Sequence, residues 1–139
     1  MKALLDTNIL LDLFLARQPF AVEAVALWNA NLQGSFSGYI SGITPVNLFY
    51  IIRKIKSIRE ARQAVEESLL AFQICRIDDG VLFTAYSSAL TDFEDAVQIA
   101  SAQVEQMDAI VTRNLGDYTT STMPVYSPTD FLKQLSNQP

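Results

Sequence analysis

Lys2-Ala3-Leu4-Leu5-Asp6-Thr7-Asn8-Ile9-Leu10-Leu11-Asp12 is the stretch on which the fold turns. Lys2–Leu5 is a brief apolar run that reads as a strand and stops at Asp6. Asn8–Ala16, dense in Leu and Ile, reads as the helix that follows, until Pro19 breaks the pattern. The same alternation continues outward along the chain. Ala21–Leu32 predicts a helix with Ala21, Ala24, Val25, Trp28 and Leu32 on one face, ended by Gly34. Phe36–Ile40 reads as a strand, and Thr44 as an N-cap with Pro45 in the first turn of a helix over Val46–Ile55. Ser57 caps a helix over Ile58–Phe72, Gln73–Ile77 is a strand, and Asp79–Ala89 and Phe93–Glu105 are helices. Ala109–Val111 is a strand, Thr112–Ser121 a loop and Pro124–Tyr126 a last short strand. Ser127 caps a closing helix that runs to about Leu135, with Pro128 at its first position. Strands separated by helices long enough to cross over imply parallel pairing and an α/β sandwich of about five strands. The whole chain, residues 1–139, reads as one domain without repeats or linkers. In such sheets ligands sit at the carboxyl ends of the strands, where strand order reverses.

Composition narrows the chemistry. The 139 residues include 15 Asp+Glu, 10 Lys+Arg, one Cys and no His. Without His there is no Ser-His-Asp or Cys-His pair and no imidazole base. A lone Cys75 excludes an internal disulfide and makes a structural zinc site implausible. What remains is carboxylate, hydroxyl and amide chemistry, which suits hard oxygen-loving cations such as Mg²⁺ or Mn²⁺. No apolar run reaches the length of a membrane span, and Asp6 and Asp12 interrupt the only signal-like stretch, so the expectation is a cytoplasmic protein with no membrane contact. A net charge of −5 argues against a general nucleic-acid coat, though not against a local basic patch.

Acids stand where the fold would place a ligand. Asp6 directly follows the first strand, as an N-cap or as a metal ligand at the crevice. In Thr91-Asp92-Phe93-Glu94-Asp95-Ala96, Asp92 and Asp95 share a face at the positive end of a helix. Acid enrichment in a first turn explains one or two of these residues. Asp95 asks for more, because the helix it leads has a largely apolar sequence and a buried carboxylate needs a compensating cation. After Ala109-Ile110-Val111 comes Thr112-Arg113-Asn114-Leu115-Gly116-Asp117-Tyr118, a polar loop with a hydroxyl, an amide and a carboxylate, which by itself is an ordinary turn. Three acid-bearing elements together point to a metal site.

With these segments in view, the chain resembles a PIN domain. The resemblance rests on Leu4 to Asp12, Ser41 to Lys54, Asp92-Phe93-Glu94-Asp95-Ala96 and Ile110 to Tyr118, in order and at suitable spacing over nearly the whole chain. It implies a three-layer α/β sandwich with a parallel five-stranded sheet in the order 3-2-1-4-5. It also implies a metal-dependent ribonuclease, and for many bacterial members the toxin of a toxin–antitoxin pair. Carried over residue by residue, it makes Asp6, Asp95 and Asp117 the metal-binding acids. Thr112 and Asn114 supply supporting contacts, and Thr7 or Asn8 orients the first acid. One departure is visible. Asn47 stands where many relatives carry Glu, which puts a two-metal arrangement in doubt and makes Asp92 the nearest source of extra charge.

The expected reaction is phosphodiester hydrolysis by a metal-activated water, attacking in line and leaving a 5′-phosphate and a 3′-hydroxyl. For substrate contact, Arg113 beside the acids is the single cation preferred for phosphate binding. The basic run Arg53, Lys54, Lys56, Arg59 and Arg62 reads equally as a solvated helix face. Tyr39, Tyr50 and Tyr118 are base-stacking candidates that more often prove to be core. The expected partners are RNA, an antitoxin protein and a second copy of the chain. Two rivals stand beside this reading. A phosphotransfer domain using Asp6 as nucleophile lacks the second Asp two residues on, where Asn8 stands. A catalytically weak or inactive PIN-fold module would bind RNA or a protein partner without cutting.

Overall fold

The computed structural model describes residues 1–138; residue 139, part of the range assigned to the domain, lies outside the described residues. Five short strands form one sheet: β1 (Lys2–Leu5), β2 (Ser37–Ser41), β3 (Gln73–Cys75), β4 (Ala109–Val111) and β5 (Val125–Tyr126). Their order is β3-β2-β1-β4-β5 and every neighbouring pair is parallel, as the resemblance implied. Seven helices connect them: α1 (Thr7–Phe14), α2 (Ala21–Leu32), α3 (Thr44–Ile55), α4 (Ile58–Ala71), α5 (Asp79–Tyr86), α6 (Phe93–Val104) and α7 (Pro128–Ser136).

Strand periodicity builds the three layers. Successive side chains of a strand point to opposite faces, and both faces here are buried. Ala3 and Leu5 of β1 and Ala109 and Val111 of β4 join Ile9, Leu10, Leu27, Leu48 and Phe131 in one core, under α1, α2, α3, α4 and α7. Leu4 and Ile110 point the other way and pack with Cys75, Ile99, Ala102 and Tyr118 beneath α6. Val81 and Ala85 then seat α5 on Ala96, Val97 and Ala100 of α6. Among the described residues no helix is long and apolar enough to cross a membrane.

Several boundaries differ from the sequence expectation, each for a physical reason. Thr44 is not an N-cap. It is the first residue of α3, after Ile43, and its buried hydroxyl meets that of Thr7 at 2.8 Å. The buried stripe of α2 is Ala21, Ala24 and Leu27, while Val25 and Leu32 are exposed. Asn31 extends that stripe by accepting from Gly38 N–H and donating to the Ala71 carbonyl, which ties α2 to β2 and to the end of α4. A side chain at Gly38 would meet Asn31 Oδ1 at 2.6 Å and Phe72 Cδ1 at 2.8 Å, so only glycine admits this close approach. The expected strand Gln73–Ile77 ends at Cys75, and the loop after β4 contains a 3-10 turn over Leu115–Tyr118.

The chain runs from β3 at one edge back across to β4, so strand order reverses between β1 and β4. Leu5 pairs with Val111 at that seam, and Asp6 N–H donates to the Val111 carbonyl at 3.0 Å. Asp6 and Thr112 are therefore the first residues beyond two adjacent strand ends.

Candidate active site

Asp6 is fully buried, which for a carboxylate requires donors on its oxygens. It has them. Thr112 Oγ1 donates to Oδ2 at 2.8 Å and Gln98 Nε2 to Oδ1 at 3.1 Å. Asn8 N–H adds a longer bond to Oδ1, so Asp6 caps α1 as well as facing the crevice. Thr112 is held in turn by Asn114 N–H, which donates to its hydroxyl at 3.0 Å.

Asp95 reaches the same place from the first turn of α6. Asp92 caps that helix by accepting from Asp95 N–H at 3.1 Å. The Asp95 carboxyl accepts from the Tyr118 hydroxyl at 3.0 Å, and Tyr118 lies over α6 from the 3-10 turn. Burial raises Asp95 from the ordinary carboxylate value to about 7, with the charges of Asp6, Asp92 and Asp117 adding to the rise and the Tyr118 bond opposing it. Burial and the charges of Asp6 and Asp92 raise Glu94 in the same direction, against a contact with the Thr7 side chain. Burial and the surrounding carboxylates raise Tyr118 too, so its hydroxyl stays a donor. The crevice thus holds more negative charge than its own donors neutralise.

A family profile described as a PIN domain matches residues 2–116. The chain belongs to the PIN-domain family. Solved structures resemble this PIN domain over most of their length. A chain of a toxin–antitoxin complex from Klebsiella pneumoniae is 27% identical, with a TM-score of 0.67 over 91% of this chain and 97% of that one. VapBC-1 from nontypeable Haemophilus influenzae aligns with a TM-score of 0.71 at 14% identity, over 93% of this chain and 99% of that one. VapC20 of Mycobacterium tuberculosis, described as a sarcin-ricin loop cleaving toxin, aligns at 0.64 and 14% identity over 78% of this chain and 86% of that one. No curated protein matches the sequence.

Set against the expected PIN residues, the structure brings Asp6, Asp95, Thr7, Asn8, Thr112 and Asn114 to one end of the sheet. Asp117 sits exposed on the 3-10 turn, near enough for its charge to act on Asp95. Asp92 is engaged as a helix cap, and the Asn47 amide donates to Glu94 Oε2. Among the described residues no three acids are gathered into a ready-made cation cage. The donor set still fits a hard divalent ion, since it is all oxygen and carries unneutralised charge. Arg113 is committed elsewhere. Its guanidinium makes a two-pronged contact with buried Asp12, at 2.7 and 3.0 Å, and lies 3.9 Å over the Phe20 ring.

Sequence reading passed over Gln98 as a functional residue, treated the Tyr118 hydroxyl only as a stacking group, and gave Asp12 no partner. The available signal was a polar residue inside an apolar helical run, Ala96 to Ala102 for Gln98 and Leu10 to Leu13 for Asp12. Arg53, Lys54, Lys56, Arg59 and Arg62 are all exposed. Arg53 and Lys54 stand in the last turn of α3, where cations offset the helix dipole. Tyr50 is exposed on that helix, and Tyr39 is half-buried with its hydroxyl on Gln73.

Proposed function

We propose that this PIN domain is a metal-dependent endoribonuclease that hydrolyses RNA phosphodiester bonds in the cytoplasm, as the toxin of a toxin–antitoxin pair. The observation that carries the reading is that Asp6 and Asp95 are linked through Gln98 and Tyr118 at the strand-order reversal, where burial and the further acids raise the Asp95 carboxyl to about 7. Asp6, Asp95 and Asp117 would hold Mg²⁺ or Mn²⁺, with Asp92 and the Asn47 amide oxygen as further donors. When bound, such an ion neutralises carboxylate charge, lowers the pKa of a water and stabilises charge on a phosphoryl oxygen. The chain's own residues do the positioning. Thr112 and Gln98 fix Asp6, Tyr118 fixes Asp95, and buried Leu4, Leu5 and Val111 hold the strand ends beneath them. Arg113, paired with Asp12, acts in this reading by holding the loop after β4 to α1.

The toxin assignment is supported by the 27% identity to a chain of a toxin–antitoxin complex. Tyr50, Ile55, Ile58, Leu69 and Leu70 are exposed on α3 and α4, which suits association with an antitoxin or a second copy. One observation favours the binding-module alternative: Asn47 is neutral and its amide nitrogen donates to Glu94.

The test is cleavage of a fluorescent RNA with Mg²⁺ or Mn²⁺, by the wild type and by Asp6→Asn and Asp95→Asn. The expected result is metal-dependent cutting that falls at least 100-fold in either variant, in line with the loss of a group acting directly on the reacting centre. Retention of RNA without cutting by the wild type would favour the binding module. Full activity in the variants would sink the site.

A further inference from the structure

Gln98 has no exposed surface and lies on α6 one turn beyond Asp95. Its side-chain amide offers two N–H donors and one acceptor oxygen. Which end is which is normally a matter of assignment, but Thr7 decides it here. The Thr7 backbone N–H is only a donor, and it lies 3.3 Å from Gln98 Oε1. The amide nitrogen therefore faces away from Thr7. From there it donates to Asp6 Oδ1 at 3.1 Å and to the Tyr118 hydroxyl oxygen at 3.0 Å. With its oxygen accepting from Gln98, Tyr118 has a single proton left to give, and Asp95 Oδ1 receives it at 3.0 Å. Every donor in this series is used once, and its direction follows from one backbone N–H.

We propose that Gln98 and Tyr118 are positioning residues, a buried bridge that holds the Asp6 and Asp95 carboxylates in one orientation so that together they take a divalent cation. The bridge rests on the nuclease reading for its cation and on the hydrogen-bond directions for its mechanism. Two carboxylates near one another repel, and each is free to turn about its Cβ–Cγ bond. The bridge engages Oδ1 of both acids and leaves Asp95 Oδ2 as the oxygen for a ligand. Asp6 gains a second restraint from Thr112, whereas among the described residues Tyr118 is the only side chain donating to Asp95. Asp95 is therefore the acid that depends more on the bridge.

The test is Mn²⁺ binding to the full chain, by calorimetric titration, in the wild type, Tyr118→Phe, Gln98→Met and the double variant. Metal-free melting in EDTA establishes that each is folded. Tyr118→Phe removes one oxygen atom and keeps the ring in place, so it carries the test alone if Gln98→Met does not fold. Each single change should weaken Mn²⁺ binding about 10- to 100-fold, the usual effect of losing a group that orients a ligand. The double variant should bind about as weakly as the weaker single, because the two groups act in series. Binding by folded Tyr118→Phe within twofold of the wild type overturns the bridge, and so does a double variant in which the two losses multiply. No Mn²⁺ binding by the wild type overturns the nuclease reading and the bridge with it, whereas wild-type binding beside unchanged variants overturns the bridge alone.

Discussion

At the scale of single residues, Asp95 links the candidate site to stability. Its proton affinity is raised in the folded protein, to about 7, by burial and by the charges of Asp6, Asp92 and Asp117. An unfolded Asp titrates near 4. Between those values the native state binds more protons than the unfolded one, so stability falls as pH rises from about 4 to about 7 and levels off above. Each tenfold difference in proton affinity corresponds to about 1.4 kcal/mol. Calorimetric melting in EDTA should show the melting temperature dropping over that range. Asp95→Asn should flatten the drop, though not remove it, because Glu94 is raised in the same direction. A melting temperature that climbs from pH 5 to 7.5 would contradict this. Asp6 and Asp95 were legible as candidates because each opens a helix beside apolar sequence. The pairing of Arg113 was not legible, since proximity along the chain to the acids says nothing of Asp12, 101 residues away.

At the scale of elements, helix starts were the most readable feature. Ser57 and Ser127 both cap with their side chains, accepting from Glu60 and Asp130 N–H. Capping is local chemistry, complete within four residues, so sequence alone reveals it. Thr44 misled because the same hydroxyl also serves as a buried partner for Thr7, and that use depends on where α1 docks. In α7 the local and the tertiary contributions can be separated. Ser127→Ala should cost about 1 kcal/mol, the ordinary value of a cap. Phe131→Ala should cost about 3–5 kcal/mol, because Phe131 is fully buried and packs edge-on against Phe36 at 5.1 Å. Urea unfolding of the two variants checks the contrast, and similar losses would mean that α7 is held by its start and not by its packing.

At the scale of the whole molecule, burial decides what the lone cysteine can do. Cys75 ends β3 without exposed surface, and burial, with Glu105 adding to it and Lys2 opposing, raises its thiol to about 12. Native protein at pH 8 should therefore react with Ellman's reagent about 10³-fold or more slowly than a free thiol, at a pace set by the small fraction of open molecules. Fast labelling of the folded protein would show β3 to be open. By itself the sequence determined the alternation of short strands with helices, most of the caps and the acids at strand ends, because those are encoded in periods and spacings of a few residues. The strand order was legible only through resemblance to a family. Only the tertiary structure decided that Asp6 meets Gln98 across 92 positions and Thr112 across 106. Such pairings depend on how whole elements dock, and a local pattern carries no record of the partner on the far side of the sheet.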